Sequence, residues 1–195
     1  MPVTGWLGAV IPLVVAIFAA VAAYIFNIQL EKKRAFLKRT SDQLQYLYGP
    51  LKAITYASRM SWSAFIHHYG DQGTFFFFSD PVNPEQVKMW RNWVIHVFSP
   101  LHEKMEKIIL DNTHLLEGDM PVEFGMLLAH IETYKSTISL WSDDNICDND
   151  TVFRNTALVD FPTTLDERVS NDFDLLMRRQ ASLLASTQKT SWFHR

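Results

Sequence analysis

The chain has one cysteine, Cys147, among its 195 residues. It cannot form an internal disulfide, and neither a thiolate zinc site nor a c-type haem motif can be assembled from it. Cys147 stands among carboxylates with no histidine near it in sequence, which disfavours a reactive thiolate. Glycine is also scarce. There are seven, two of them inside the N-terminal apolar stretch, and none belongs to a phosphate-cradling loop or a G-x-S-x-G elbow. The histidines are His67, His68, His96, His102, His114, His130 and His194. None forms an H-E-x-x-H pair, and no glutamate has a histidine three residues later, as a carboxylate-bridged di-metal bundle requires. Common hydrolase, redox and metal chemistries are thereby set aside. The sequence leads us to expect no catalytic residue, no cofactor and no metal.

The most telling absence is of charge. Gly5 to Phe26 contains no Asp, Glu, Lys or Arg. A bilayer core of about 30 Å needs roughly 20 helical residues, and this stretch supplies them. Its large apolar residues, Leu7, Ile11, Val15, Phe18 and Ile25 among them, each favour insertion by roughly 0.3–0.6 kcal/mol. Trp6 and Tyr24 stand at the two ends, about 27 Å apart along a helix, and suit the two interfaces. A cleaved signal peptide is the rival reading, but no Lys or Arg precedes the apolar run, and the run is long for an h-region. Pro12 permits a mild kink. Ala16, Ala19, Ala20 and Ala23 follow the small-xxx-small spacing that lets membrane helices approach closely.

Basic residues follow at once: Lys32, Lys33, Arg34, Lys38 and Arg39, opposed by Glu31 and Asp42. The positive-inside rule then puts the N-terminus outside and the remainder in the cytoplasm. Membrane lipid accounts for this basic neck at about 1 kcal/mol per cation. Beyond Arg59 the chain is acidic, which argues against nucleic acid. The expected division is an anchor over 1–26, a juxtamembrane helical neck over 27–43, a helical domain over 44–187 and a tail over 188–195.

Periodicity predicts four helices and no strand. The first runs from the membrane to Gly70, with Leu44, Leu47, Leu51, Ile54, Ala57, Phe65 and Tyr69 on its apolar face, and Gly49-Pro50 predicts a kink or brief break. At Ser61 a polar residue takes the apolar place. Asn83, Pro84 and Gln86 announce a second helix, with a stripe from Trp90 and Trp93 through Phe98 and Met105 to Ile109. Pro121 opens a third helix, with Phe124, Leu127, Ile131 and Tyr134 inward. Pro162 opens the last, with Leu165, Val169, Phe173 and Leu176. The fold class is all-α: a transmembrane helix continuing into an antiparallel four-helix-bundle-like domain.

Between the helices lie two unusual segments and, at the end, a third. Phe75, Phe76, Phe77 and Phe78 form a run that either plugs the core or docks a partner. Asp143, Asp144, Asp148 and Asp150 crowd a loop that lacks the spacing, glycine and closing glutamate of a calcium site, so a solvated loop is expected. Trp192 and Phe193 make an aromatic tail, a second partner-patch candidate. His130, among Leu127, Leu128 and Ile131, reads as a hydrogen-bonded core histidine. Trp90, Trp93 and Phe98 read as core rather than a pocket.

Two segments echo one another: Leu47-Tyr48-Gly49-Pro50-Leu51 and Val97-Phe98-Ser99-Pro100-Leu101. With the stretch running on from Leu101 to Pro121, they resemble a group of short bacterial proteins with one N-terminal membrane helix and a helical domain. The resemblance covers about 44–141 and implies a bacterial, membrane-anchored, helical protein, with no catalytic or binding residue attached. The function expected is that of a non-catalytic accessory or scaffolding subunit, binding other membrane-protein subunits through the span and the helical domain. A sensor or effector of the stress or phage-defence type, signalling through the kinked first helix, is the alternative. A ligand-binding or enzymatic bundle is the third, and a pocket with polar groups converging near His130 or Trp93 is what would favour it.

Overall fold

The computed structural model describes residues 4–70, 84–141 and 157–192. Asn83, Phe75–Phe78, Asp143–Asp150 and Phe193 lie outside the described residues, as do the side chains of Trp6, Gln86 and Trp192. The described chain is helical, with no strand. Its first helical stretch comprises α1 (Thr4–Asp42), a π turn (Gln43–Tyr48) and α2 (Gly49–Gly70). The second comprises α3 (Pro84–Trp93), a π turn (Val94–Phe98) and α4 (Ser99–Asp111). Helices α5 (Val122–Trp141) and α6 (Leu165–Trp192) complete the set. These are the four helices the periodicity predicts. The last begins three residues after Pro162, whose carbonyl accepts the Leu165 N–H at 3.0 Å.

The echoed motifs share a local conformation. Proline has no N–H, and its ring crowds the carbonyl four residues back. The backbone widens in answer. Gly49 N–H reaches back five residues to the Leu44 carbonyl, and Ser99 N–H does the same to Val94. A single wide turn thus stands where a kink or brief break is expected, and helical hydrogen bonding continues through both prolines. A Cβ at residue 49 would stand 2.5 Å from the Leu44 carbonyl oxygen, so a side chain there would require the backbone to shift; the equivalent turn holds Ser99.

The side chains buried beyond Pro50 are Leu51, Thr55, Ser58 and Phe65, one face at helical spacing. Ile54, Ala57 and the polar Ser61, on the expected apolar face, flank it half-buried.

The chain forms two compact units, Met1–Ser41 with Arg179–Arg195, and Asp42–Arg178. In the larger unit, α2 and α6 are antiparallel: Lys52 Nζ meets Asp174 at 3.1 Å and Arg59 Nε meets Asp166 at 3.2 Å. Lys135 Nζ joins α5 to Glu106 of α4 at 2.7 Å. Such partly exposed pairs stabilise by at most about 1 kcal/mol each and serve chiefly to align the helices. Stability comes from burial. One cluster gathers Leu47, Leu51, Met105, Ile109, Phe124, Leu127, Ile131, Leu165 and Val169. A second gathers Phe65, Val94, Phe98 and Tyr134, with Trp90 and Trp93 against it. Gln43, 1% exposed, donates from Nε2 to the Leu115 carbonyl at 2.8 Å. It thereby fixes the short 3₁₀ turn that follows α4.

In the smaller unit, every described side chain from Pro12 to Gln29 is exposed. Among the described residues, one helix near the N-terminus is long and apolar enough to cross a membrane. Tyr24, Lys32, Lys33, Arg34 and the alanines Ala16, Ala19, Ala20 and Ala23 all stand on its exposed surface. Beyond the span, Gln180 Nε2 donates to Ser41 Oγ at 2.9 Å. The Arg179 guanidinium lies 5.4 Å above the Phe36 ring.

Candidate functional site

Where the larger unit's helices diverge they enclose a cavity of about 470 Å³. Helix α2 contributes Thr55, Ser58, Arg59 and Trp62, and α3 with its π turn contributes Trp90 and Phe98. His102 comes from α4, and His130 and Tyr134 from α5. The segment leading into α6 closes the wall with Ala157, Val159, Asp160, Phe161 and Thr163, and Asp166 stands on α6 itself. The volume lies within the range of small-molecule pockets, as does the mixture of aromatic walls and a few convergent polar groups.

Thr55, Ser58 and Trp62 reach this cavity from one face of α2, and the turn at Val94–Phe98 carries Phe98 in its last position. Four aromatic rings form the inner wall. His102 stacks on Phe161 with centroids 5.4 Å apart and planes at 19°. His130 stacks on Tyr134 at 5.2 Å and 29°. The two imidazoles meet edge to face at 5.2 Å.

The imidazoles differ in how their nitrogens are used. His130 Nδ1 lies 2.6 Å from the Val159 carbonyl. A carbonyl only accepts, so Nδ1 carries the hydrogen and Nε2 is left as an acceptor. His102 is 5% exposed, and its Nδ1 is buried without a hydrogen-bond partner among the described residues. An unsatisfied buried polar atom costs about 1–3 kcal/mol. Burial, helped by the neighbouring His130, lowers the His102 pKa to about 3. Burial also lowers that of His130, against a smaller opposing effect from the Val159 carbonyl and Asp160. Tyr134 is pushed upward by burial and stays a neutral phenol. At neutral pH the inner wall therefore carries no charge.

Charge is confined to the rim. Arg59 pairs with Asp166 at 3.2 Å, and the Thr55 hydroxyl lies 3.3 Å from the same carboxylate. Arg59 is thus held by a partner rather than presented free to an anion.

His130 is where the sequence leads one to expect it, a core histidine with a backbone partner. Trp90 and Phe98, expected as plain core, line the cavity as well as the cluster around Phe65. His102 escaped notice as a site residue, although the signal was present: it lies four residues after Phe98 and three before Met105, on the buried stripe of its helix. Among the described residues no group of three or more His, Cys, Asp or Glu is placed to hold a metal ion. Comparison with family models, with curated proteins and with solved structures finds no match.

Proposed function

We propose that this chain is a single-pass membrane protein whose helical domain binds a small, flat, uncharged ligand. The observation that carries the proposal is a cavity of about 470 Å³ whose inner wall is made of aromatic rings and two imidazoles, His102 and His130. Aromatic faces select a planar body, and a wall without charge favours a neutral one. Binding fits these residues better than catalysis. A histidine whose pKa falls to about 3 is a poor general base at neutral pH, where effective bases have pKa values near the working pH. The test is saturation-transfer NMR on the full chain in mild detergent, with 1-naphthol as probe. Transfer to the naphthol ring is expected, and its loss in Ala157→Phe, which puts a ring into the cavity. Retention of the signal in that variant would place the contact elsewhere.

The role of an accessory subunit is compatible with this reading. The span's exposed alanine face offers a packing surface for another membrane helix, and occupancy of the domain is a natural means of regulating such a partner. The basic run Lys32–Arg34 with Lys38 and Arg39 supports an N-terminus outside and a domain in the cytoplasm. A phosphatase reporter fused after Arg195, active only in an exported compartment, should be silent here. Activity would reverse the orientation.

A further inference from the structure

The smaller unit contains an arrangement that the anchor alone does not explain. Residues 179–195 form one compact body with residues 1–41, so beyond the Gln180–Ser41 hydrogen bond the last turns of α6 lie along α1. The direction is given by burial. On α1 the half-buried or buried side chains below Ser41 are Thr40, Leu37 and Leu30, spaced as one helix face. On α6 the half-buried ones are Arg179, Gln180, Leu183 and Ser186, again one face. Every described side chain from Pro12 to Gln29 is exposed, and cover begins at Leu30. Helix α6 thus runs back toward the apolar stretch.

The register follows from the rise of a helix. Trp192 lies twelve residues past Gln180, about 18 Å at 1.5 Å per residue. The same distance back from Ser41 reaches about residue 29. The end of α6 therefore stands beside Gln29 and Leu30, within about one helical turn of the span's end at Phe26.

We infer that the C-terminal end of α6 is a second membrane contact, with Trp192 at the register of the cytoplasmic lipid interface. The inference rests on the reading of α1 as membrane-spanning. Its chemistry is that of an interfacial belt. A tryptophan favours the headgroup level, and the cations Lys32, Lys33 and Arg34 of the neck follow the span closely in sequence, where they meet anionic headgroups. The partner is lipid rather than protein, which gives the aromatic tail a role the sequence alone leaves open.

The experiment uses the full chain carrying Cys147→Ser and one new cysteine labelled with the fluorophore NBD. It is reconstituted in vesicles of mixed phosphatidylcholine and phosphatidylglycerol, with either ordinary or brominated acyl chains. The label is placed at Asn27→Cys, at Thr190→Cys or at Thr113→Cys. Bromine should quench the labels at 27 and 190 to a similar extent and leave that at 113 unaffected, and adding Trp192→Ala should weaken quenching at 190 alone. Quenching at 27 without quenching at 190 would overturn the inference and leave the anchor standing. The absence of quenching at both would overturn the anchor with it.

Discussion

Replacing Phe65 by alanine is expected to cost about 3–5 kcal/mol of stability, the range for deleting a fully buried aromatic. Phe65 is 0% exposed. Its ring lies 5.0 Å from Tyr69, 5.2 Å from Trp93, 5.4 Å from Trp90 and 6.0 Å from Trp62, centroid to centroid. Each neighbour holds another, so the cavity left behind cannot collapse by moving one side chain. For a chain of this length the melting temperature should fall by about 6–20 °C. Tyr46→Ala, which removes an exposed ring from the π turn, should stay within about 0.5 kcal/mol. Thermal unfolding in mild detergent, followed by circular dichroism, checks both. Equal effects of the two changes would mean that the aromatic cluster is not the tight core described.

The second large effect is acid sensitivity seated in the cavity. His102 is neutral in the folded protein with a pKa near 3, while in the unfolded chain it titrates near the ordinary value of about 6.5. As pH falls below that value, the unfolded chain takes up a proton that the folded chain refuses. Stability is therefore full above about pH 6.5 and declines as pH falls toward 3, by up to about 1.4 kcal/mol per pH unit. His130, lowered for the same reason, adds in the same direction. Between pH 7 and pH 5 the loss due to His102 should be about 2 kcal/mol. His102→Phe keeps the ring volume and removes the titration. The variant should lose stability over that interval by markedly less than the wild type, and an unchanged pH profile would show that His102 is not buried neutral.

The fold was largely legible because helical periodicity survives in the sequence: the stripes at Phe98, Met105 and Ile109, and at Phe124, Leu127 and Ile131, are the stripes that are buried. The apolar first helix was legible for a simpler reason, the absence of any charge over Gly5–Phe26. The site was not. Gly49-Pro50 and Ser99-Pro100 announce a disturbance, but a sequence does not say whether proline will break a helix or widen one turn. The apolar stripe names Ile54 and Ala57, whereas the polar Thr55 and Ser58 beside them are the more deeply buried. Both line the cavity, with His102, His130 and the aromatic residues around them. Its last wall, Ala157 to Thr163, comes from an irregular segment that has no period to read.

The central claim is that the wall around His102 and His130 recognises an uncharged planar molecule. The most direct measurement sets 1-naphthol against 1-naphthoate in saturation-transfer NMR on the full-length protein, with the wild type and Ala157→Phe side by side. The account predicts transfer to naphthol in the wild type, much weaker transfer to the naphthoate anion, and loss of both in the variant. Equal transfer to neutral and anionic rings, or transfer that survives Ala157→Phe, would contradict it.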